Sequence, residues 1–373
     1  MKLEDFDYHL PPELVAQYPA RRRTDARMLV GRRKEKRLED ATFRQLPNFL
    51  EPGDLLAFNN SRVLPARLFG YRMGVYSQPI GKRNPAQHEY LHSQIEVLLA
   101  RKLDQRTWEA LVKPGRKVRV GEKLVFHGHA TATFNPGKEQ SPLLQAEVIG
   151  RGDFGLRILR FPEGISLPEM LERVGHVPLP PYIHRPDEKQ DRLRYQTVYA
   201  RQPGSVAAPT AGLHFTKEIL YKLEKRGVER VEITLHVGLG TFQPIHALKI
   251  EEHRMHPERF DVAPEAAARL NRALEQKRRI VAVGTTTVRT LEHIAAAHGG
   301  RIEPGSGETQ LFILPEFPFR VVGGLLTNFH LPRTTLLMLV CAFAGRELTL
   351  AAYEHAVRER YRFYSYGDCM LIL

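Results

Sequence analysis

The feature that most constrains this fold is a change of style near residue 63 that reverses near residue 160. Between those points short runs follow one another: SQIEVLLARKL, RTWEALV, KVRV, EKLVFHG, ATATFN, LLQAEVIG and GLRILRF. Turn residues at Pro114-Gly115, Gly121-Glu122 and Asn135-Pro136-Gly137 separate them. Short alternating strands at this spacing predict a small antiparallel barrel or sandwich. Residues 74–93 are polar and aperiodic, and predict a long surface loop inside it. On both sides the pattern is that of strands alternating with helices. The predicted class is therefore a mixed α/β catalytic domain, residues 1–60 and 161–373, with a small antiparallel β-barrel inserted at residues 61–160.

Charge separates the same segments. The chain carries +13 over 373 residues, made up of +1 in residues 1–60, +9 in 61–160 and +3 in 161–373. A basic excess concentrated in one domain is the electrostatic footprint of a polyanion such as nucleic acid. Arg101, Lys102, Lys117 and Arg119 are its candidate contacts, placed by alternation on a solvent face. Residues 336–344 are the longest apolar run, far short of the roughly 20 residues a membrane span needs. The first ten residues mix charged with apolar positions, and no signal pattern is read there. Cys341 and Cys369 have neither C-x-x-C nor Cys/His ligand spacing, so no zinc site is expected and a reducing cytoplasm fits.

The α/β part holds the polar loops. GSVAAPTAGLHFT, residues 204–216, packs glycines, a proline and small residues around His214. Thr216 is positioned as the N-cap of a helix over 217–226 that stops at Gly227. RVEITLHV alternates Val231, Ile233, Leu235 and Val237 with polar positions that include His236. Gly238 and Gly240 then bracket Leu239 before Thr241 and Phe242. RIVAV predicts a buried strand that runs through Gly284 into Thr285, Thr286 and Thr287 and a helix carrying Arg289, an arrangement suited to anions. Thr327, Asn328 and His330 precede an apolar helix ending at Gly345, and DLLAFN delivers Asn59 and, beyond it, Arg62. Taken singly, each loop is also consistent with a capped turn or a satisfied histidine. Together they point to a pocket at the strand ends of an open sheet. A G-x-S-x-G elbow and a P-loop are both missing, which disfavours a serine hydrolase and an NTPase. His214, His236 and His330 have no neighbouring ligands, which disfavours a metal enzyme.

FNNSRVLPARLFG, RYQTVYA, GSVAAPTAGLHFT, LHVGLGTFQP, VAVGTTTVRTLE, LLTNFHLPRTTLLMLVCAFAG and YRFYSYGDCMLI, in that order from residue 58 to 372, together resemble the S-adenosylmethionine:tRNA ribosyltransferase-isomerases of queuosine biosynthesis. The resemblance implies an α/β catalytic domain with an inserted barrel. It also implies transfer and isomerisation of the ribosyl part of S-adenosylmethionine onto a 7-aminomethyl-7-deazaguanine in a tRNA anticodon. Epoxyqueuosine tRNA is the product, and adenine and methionine leave. S-adenosylmethionine is then a consumed substrate, with no other cofactor, and the protein is expected to act as a cytoplasmic monomer away from membranes. Residues 74–93 are longer than the resemblance leads one to expect.

Such chemistry needs a base beside the sulfonium and an acid for departing adenine. Because imidazole titrates near neutrality, His214 is the first choice for the base and His330 or His236 for the acid. Thr210, Gly212, Gly240, Thr241, Phe242, Thr285, Thr286, Arg289, Asn328, Asn59 and Arg62 are the expected substrate contacts. A tRNA-binding module without chemistry would have no use for four glycine-flanked His/Thr/Asn loops. A base-exchanging transglycosylase would want paired aspartates, which these loops do not offer.

Overall fold

The structure, a computed structural model, describes residues 1–74, 93–127, 143–238 and 250–373. Strands are numbered in chain order. The first are β1 (Arg27–Arg32), β2 (Arg37–Thr42), β3 (Leu55–Asn59) and β4 (Ser61–Val63). There follow β5 (Arg67–Arg72), β6 (Ile95–Lys102), β7 (Thr107–Lys113), β8 (Lys123–Phe126), β9 (Leu144–Arg151) and β10 (Arg157–Arg160). After them come β11 (Gln202–Ser205), β12 (Glu229–Leu235), β13 (Glu258–Val262), β14 (Ile280–Val283), β15 (Gly305–Thr309), β16 (Gly324–Asn328) and β17 (Cys369–Ile372). Among the described residues the helices of eight or more residues are α1 (Leu167–Val174), α2 (Lys217–Lys225), α3 (Pro264–Glu275), α4 (Thr285–Ala297), α5 (Thr335–Ala344) and α6 (Arg346–Arg358).

The chain divides into two compact units: Met1–Arg62 with Pro180–Pro186 and Leu193–Leu373, and Val63–Leu179 with Asp187–Arg192. In the second, strands β5 to β10 close into an antiparallel barrel in the order β10-β7-β6-β5-β8-β9. Ile95, Val97 and Leu99 of β6 alternate inward, as do Leu144, Ala146 and Val148 of β9, so a period of two fills the interior. The unit runs beyond residue 160 because Arg67 exchanges backbone hydrogen bonds with His176 at 3.2 and 2.7 Å, and Arg192 Nη2 donates to Gly175 O at 2.8 Å. These contacts hold α1 and its flanks to the barrel's own strands.

The barrel's charges are less uniform than alternation suggests. KVRV is no strand: it leaves a 3-10 turn, Gly115–Lys117, and continues as irregular chain that leaves Arg116, Lys117 and Arg119 exposed. Arg101 Nε lies 2.8 Å from Glu109 Oε2 across the ladder, so part of its charge is met internally. Lys102 beside it is exposed. The run ATATFN lies outside the described residues.

The first unit is built on a nine-stranded mixed sheet, in the order β15-β13-β12-β3-β14-β16-β17-β1-β2. Its centre, β12, β3, β14 and β16, is parallel, so the ends at Leu235, Asn59, Val283 and Asn328 lie along one edge. Antiparallel β17 and its parallel neighbour β1 begin at that same edge. Both faces are covered, as a largely parallel sheet requires. Leu55 and Ala57 of β3 join the layer of α3, α4 and α5, while Leu56 and Phe58 join that of Ile219 and Leu223 of α2. Helix α2 starts where the sequence predicts: the Thr216 hydroxyl accepts from Ile219 N at 3.2 Å, and Gly227 beyond its end has φ +81°. Helix α4 begins at Thr285, earlier than the threonine cluster suggested, because Gly284 with φ +93° serves as its N-cap. Strand β15 ends at Thr309, and the apolar run LFIL beyond it is irregular. Among the described residues no single helix is long and apolar enough to cross a membrane; α5 and α6 are bent by 118° at Gly345.

Glu292 on α4 is fully buried and accepts three backbone N–H groups, from Arg320 at 2.8 Å, Val321 at 3.0 Å and Val322 at 2.9 Å. Removing it strands all three donors in the core. Glu292→Ala should lower unfolding stability by about 3 kcal/mol, read as a shifted urea midpoint at unchanged slope. A change below about 1 kcal/mol would mean that water replaces the carboxylate.

Candidate active site

A cleft of about 510 Å³, open to solvent, sits at the carboxyl edge of the parallel strands. Four loops reach it. Ala208 to Ala211 follow β11, Gly284 to Thr286 follow β14, Thr327 to His330 end β16, and Tyr364 and Ser365 precede β17; Tyr182, Val237 and Leu336 also line it. No Asp, Glu, Lys or Arg lines it among the described residues. At one side α4 presents the unpaired N–H groups of its first turn. The Thr286 hydroxyl beside them is buried and without a partner among the described residues. At the other side Tyr182 and Tyr364 pack edge to face with ring centroids 3.8 Å apart, and the Tyr182 hydroxyl is bonded to Ser365 Oγ. Burial pushes both phenols well above their ordinary range, so they stay protonated.

Asn328 organises the floor. Its amide group donates to Tyr364 O at 2.8 Å and Ser365 O at 3.4 Å, which turns its Oδ1 toward His214 Nε2 at 3.1 Å. An amide oxygen only accepts, so His214 Nε2 carries the proton and Nδ1 holds the lone pair. His330 lies in the cleft wall, its Nε2 2.9 Å from Thr327 Oγ1. The His330 main chain is held by the Tyr353 hydroxyl, which accepts from its N–H at 3.0 Å, and by the Tyr8 hydroxyl, which donates to its carbonyl at 2.5 Å.

The structure brings Thr210, Thr285, Thr286, Asn328 and His330 to the cleft. His214 is not in its lining. It stands behind Asn328, 4% exposed, and borders a second, smaller cleft. His236 is half-buried over Gly204, where an added Cβ would come within 2.7 Å of Nδ1, and it too is off the cleft. Gly212 packs beneath the loop: a Cβ there would lie 2.0 Å from the Tyr199 hydroxyl. Asn59 is fully buried and joins β3 to β12 by donating to Leu235 O at 2.9 Å and accepting from Leu235 N at 3.0 Å. Arg289 is 2% exposed and ion-paired with Glu258, whose other oxygen accepts from Gly238 N. Arg62 is exposed, and Gly240, Thr241 and Phe242 lie outside the described residues. Tyr182, Leu336, Tyr364 and Ser365 were missed. YRFYSYGDCMLI held a signal for two of them, polar aromatics ahead of a buried strand; Tyr182 sits in a proline-rich connector that gives none.

Burial lowers the His330 pKa from 6.5 to about 3. Burial also lowers His214 to about 4, with the charges of Arg23 and Arg362 adding to the effect against the Asn328 hydrogen bond. Both are neutral at pH 7. Each binds its proton more readily in the unfolded chain, so the stability they contribute is full above about pH 6.5 and is lost as the pH falls toward 4 and 3. Unfolding stability should therefore drop below pH 6.5 by up to about 1.4 kcal/mol per pH unit for each ring. His330→Gln should make that decline shallower in urea titrations between pH 7 and 4.5. An unaltered decline would mean that the ring is solvated.

Comparison with known proteins identifies the family. The family model described as Queuosine biosynthesis protein matches residues 3–372. The S-adenosylmethionine:tRNA ribosyltransferase-isomerase of Solibacter usitatus is 54% identical over 375 residues, 100% of both chains. Its namesake from Symbiobacterium thermophilum is 49% identical over 373 residues, again 100% of both. The crystal structure of S-adenosylmethionine tRNA ribosyltransferase from Thermotoga maritima is 39% identical and matches 99% of this chain and 100% of that one, with a TM-score of 0.53. With a match over nearly its whole length and relatives this similar, the chain belongs to the queuosine biosynthesis protein family.

Proposed function

We propose that the cleft holds S-adenosylmethionine while its ribosyl part is transferred to tRNA and isomerised, the activity for which the relatives are named. The acceptor is 7-aminomethyl-7-deazaguanine in the anticodon, the product is epoxyqueuosine, and adenine and methionine leave. The observation that carries the assignment is a lining of hydroxyls, tyrosine rings and one imidazole with no charged side chain among the described residues. A sulfonium is a fixed cation that aromatic faces stabilise. The first turn of α4, with the Thr286 hydroxyl, suits the donor's carboxylate. Among the described residues His330 is the one imidazole in the lining. In this reading its neutral ring takes the proton from the carbon beside the sulfonium and returns it to adenine as that base departs. His214 acts through Asn328, positioning the 364–365 turn. The donor is consumed and the cleft's own groups move the protons, so we propose no resident cofactor and action as a cytoplasmic monomer.

Incubation with S-adenosylmethionine and an anticodon stem-loop bearing the precursor base should release free adenine and leave the RNA unmethylated. His330→Ala should slow that release by about 100- to 10,000-fold while donor affinity, read by calorimetry, stays near wild type. Methyl transfer by the wild type would refute the function, and a loss below about tenfold in the variant would refute the role of His330.

Exposed basic residues of the barrel unit suit the RNA backbone. Reversing Lys117 and Arg119 to Glu should weaken RNA binding and flatten its salt dependence by roughly 0.7 to 0.9 log units for each phosphate no longer neutralised. Donor binding should not change. An unaltered salt slope would assign the barrel's charge to solubility alone.

A further inference from the structure

One step along the same sheet edge, over the starts of β17 and β1, lies the second cleft, of about 280 Å³. Pro19, Ala20, Arg23, Ala26, Arg194, Leu213, His214 and Ser365 to Gly367 line it, and Ser365 also lines the main cleft. Its chemistry is opposite to that of its neighbour. The Arg23 guanidinium donates to Leu213 O and Leu193 O, both at 2.7 Å, and to Gln196 O at 2.8 Å. Arg194 donates from Nη1 to Arg21 O at 3.1 Å and from Nη2 to Ala20 O at 2.6 Å, while its Nε is buried with no acceptor among the described residues. Every acceptor in this set is a neutral carbonyl. No carboxylate lines the cleft or pairs with either arginine among the described residues, so two fixed guanidinium charges stand together uncompensated. Burial lowers the Arg23 pKa to about 10, and the neighbouring Arg194 charge adds to the effect. Like charges held this way are relieved by an anion.

We propose that this second cleft is a docking site for a phosphodiester of the RNA substrate, set beside the transfer cleft so that a bound backbone places the acceptor base over Ser365. The proposal rests on the reading that RNA is the substrate. The carbonyl clamps preorganise the guanidiniums, which lowers the ordering cost of binding. Guanidinium is the side chain best matched to phosphate geometry.

The test measures binding of the precursor-bearing stem-loop across a salt series, and of S-adenosylmethionine by calorimetry, for the wild type, Arg194→Met and Ala20→Glu. The second variant keeps both arginine clamps and adds a negative charge to the wall, so it decides the matter if Arg194→Met does not fold. Both variants should bind RNA about tenfold more weakly at 0.1 M salt. Arg194→Met should lose about 0.7 from the slope of log affinity against log salt, and donor affinity should hold in both. RNA affinity and slope unchanged in a folded variant would overturn the proposal and leave the arginines as clamps of residues 20 and 21. A fall in donor affinity would overturn it in favour of the donor's carboxylate as the anion. The wild type separates this from the broader reading: if it releases no adenine with RNA present, the reading fails and the docking site fails with it.

Discussion

The carboxamide of Asn328 is the contact on which the site's construction depends. It spends both N–H donors on the 364–365 turn and its oxygen on His214, so one side chain joins the end of β16, the loop after β11 and the approach to β17. The backbone permits this because β16 and β17 are antiparallel and in register from Leu325–Ile372 to Asn328–Cys369. A shift of one residue would turn the amide to the opposite face. The consequences extend to electronic structure. With the amide oriented by two carbonyls, the histidine behind it has a single permitted tautomer.

Helix α4 ties the remaining walls together. Its first turn faces the main cleft, Arg289 one turn later reaches Glu258 at the start of β13, and Glu292 after that holds residues 320–322 ahead of β16. Arg289 and Glu258 are 2% and 4% exposed, and among the described residues Nε and Nη1 of the arginine find no acceptor. A buried pair satisfied on one side is a weak source of stability but costly to break, because removing either partner leaves the other charge in the core. The same helix therefore offers partial positive charge to a ligand and is tied both to the start of β13 and to the approach to β16.

Two clefts of contrasting polarity share this edge of the sheet. The one over β14 and β16 has aromatic rings, hydroxyls and a neutral imidazole; the one over β17 and β1 has two arginines held by carbonyls. Keeping guanidinium charge out of the first matters for a cationic donor, since two like charges about 4 Å apart repel by roughly 4 kcal/mol at a near-surface dielectric. His214 stands at the boundary, where burial, together with the charges of Arg23 and Arg362, keeps it neutral.

Much of this was legible from local signals. Strand alternation located the barrel segment, the Thr216 cap and Gly227 stop located α2, and the strand-glycine-threonine pattern located the turn into α4, because each is fixed by neighbours within a few residues. The order of blocks along the chain was enough to point to the family. What the sequence could not decide is which polar side chain faces the cleft and which one holds the fold. His214, Asn59, Arg289 and Gly212 sit in polar or glycine-rich loops like the residues of the lining, yet they are spent on Asn328, on Leu235, on Glu258 and on clearance for Tyr199. Tyr182 and Ser365, 183 residues apart, become cleft neighbours only through a hydrogen bond and ring packing that no local pattern encodes. Periodicity and caps act over one or two turns of chain, whereas the lining of a pocket is set by long-range strand register; that is why the sequence determined the elements and the family, and the tertiary structure alone decided the site.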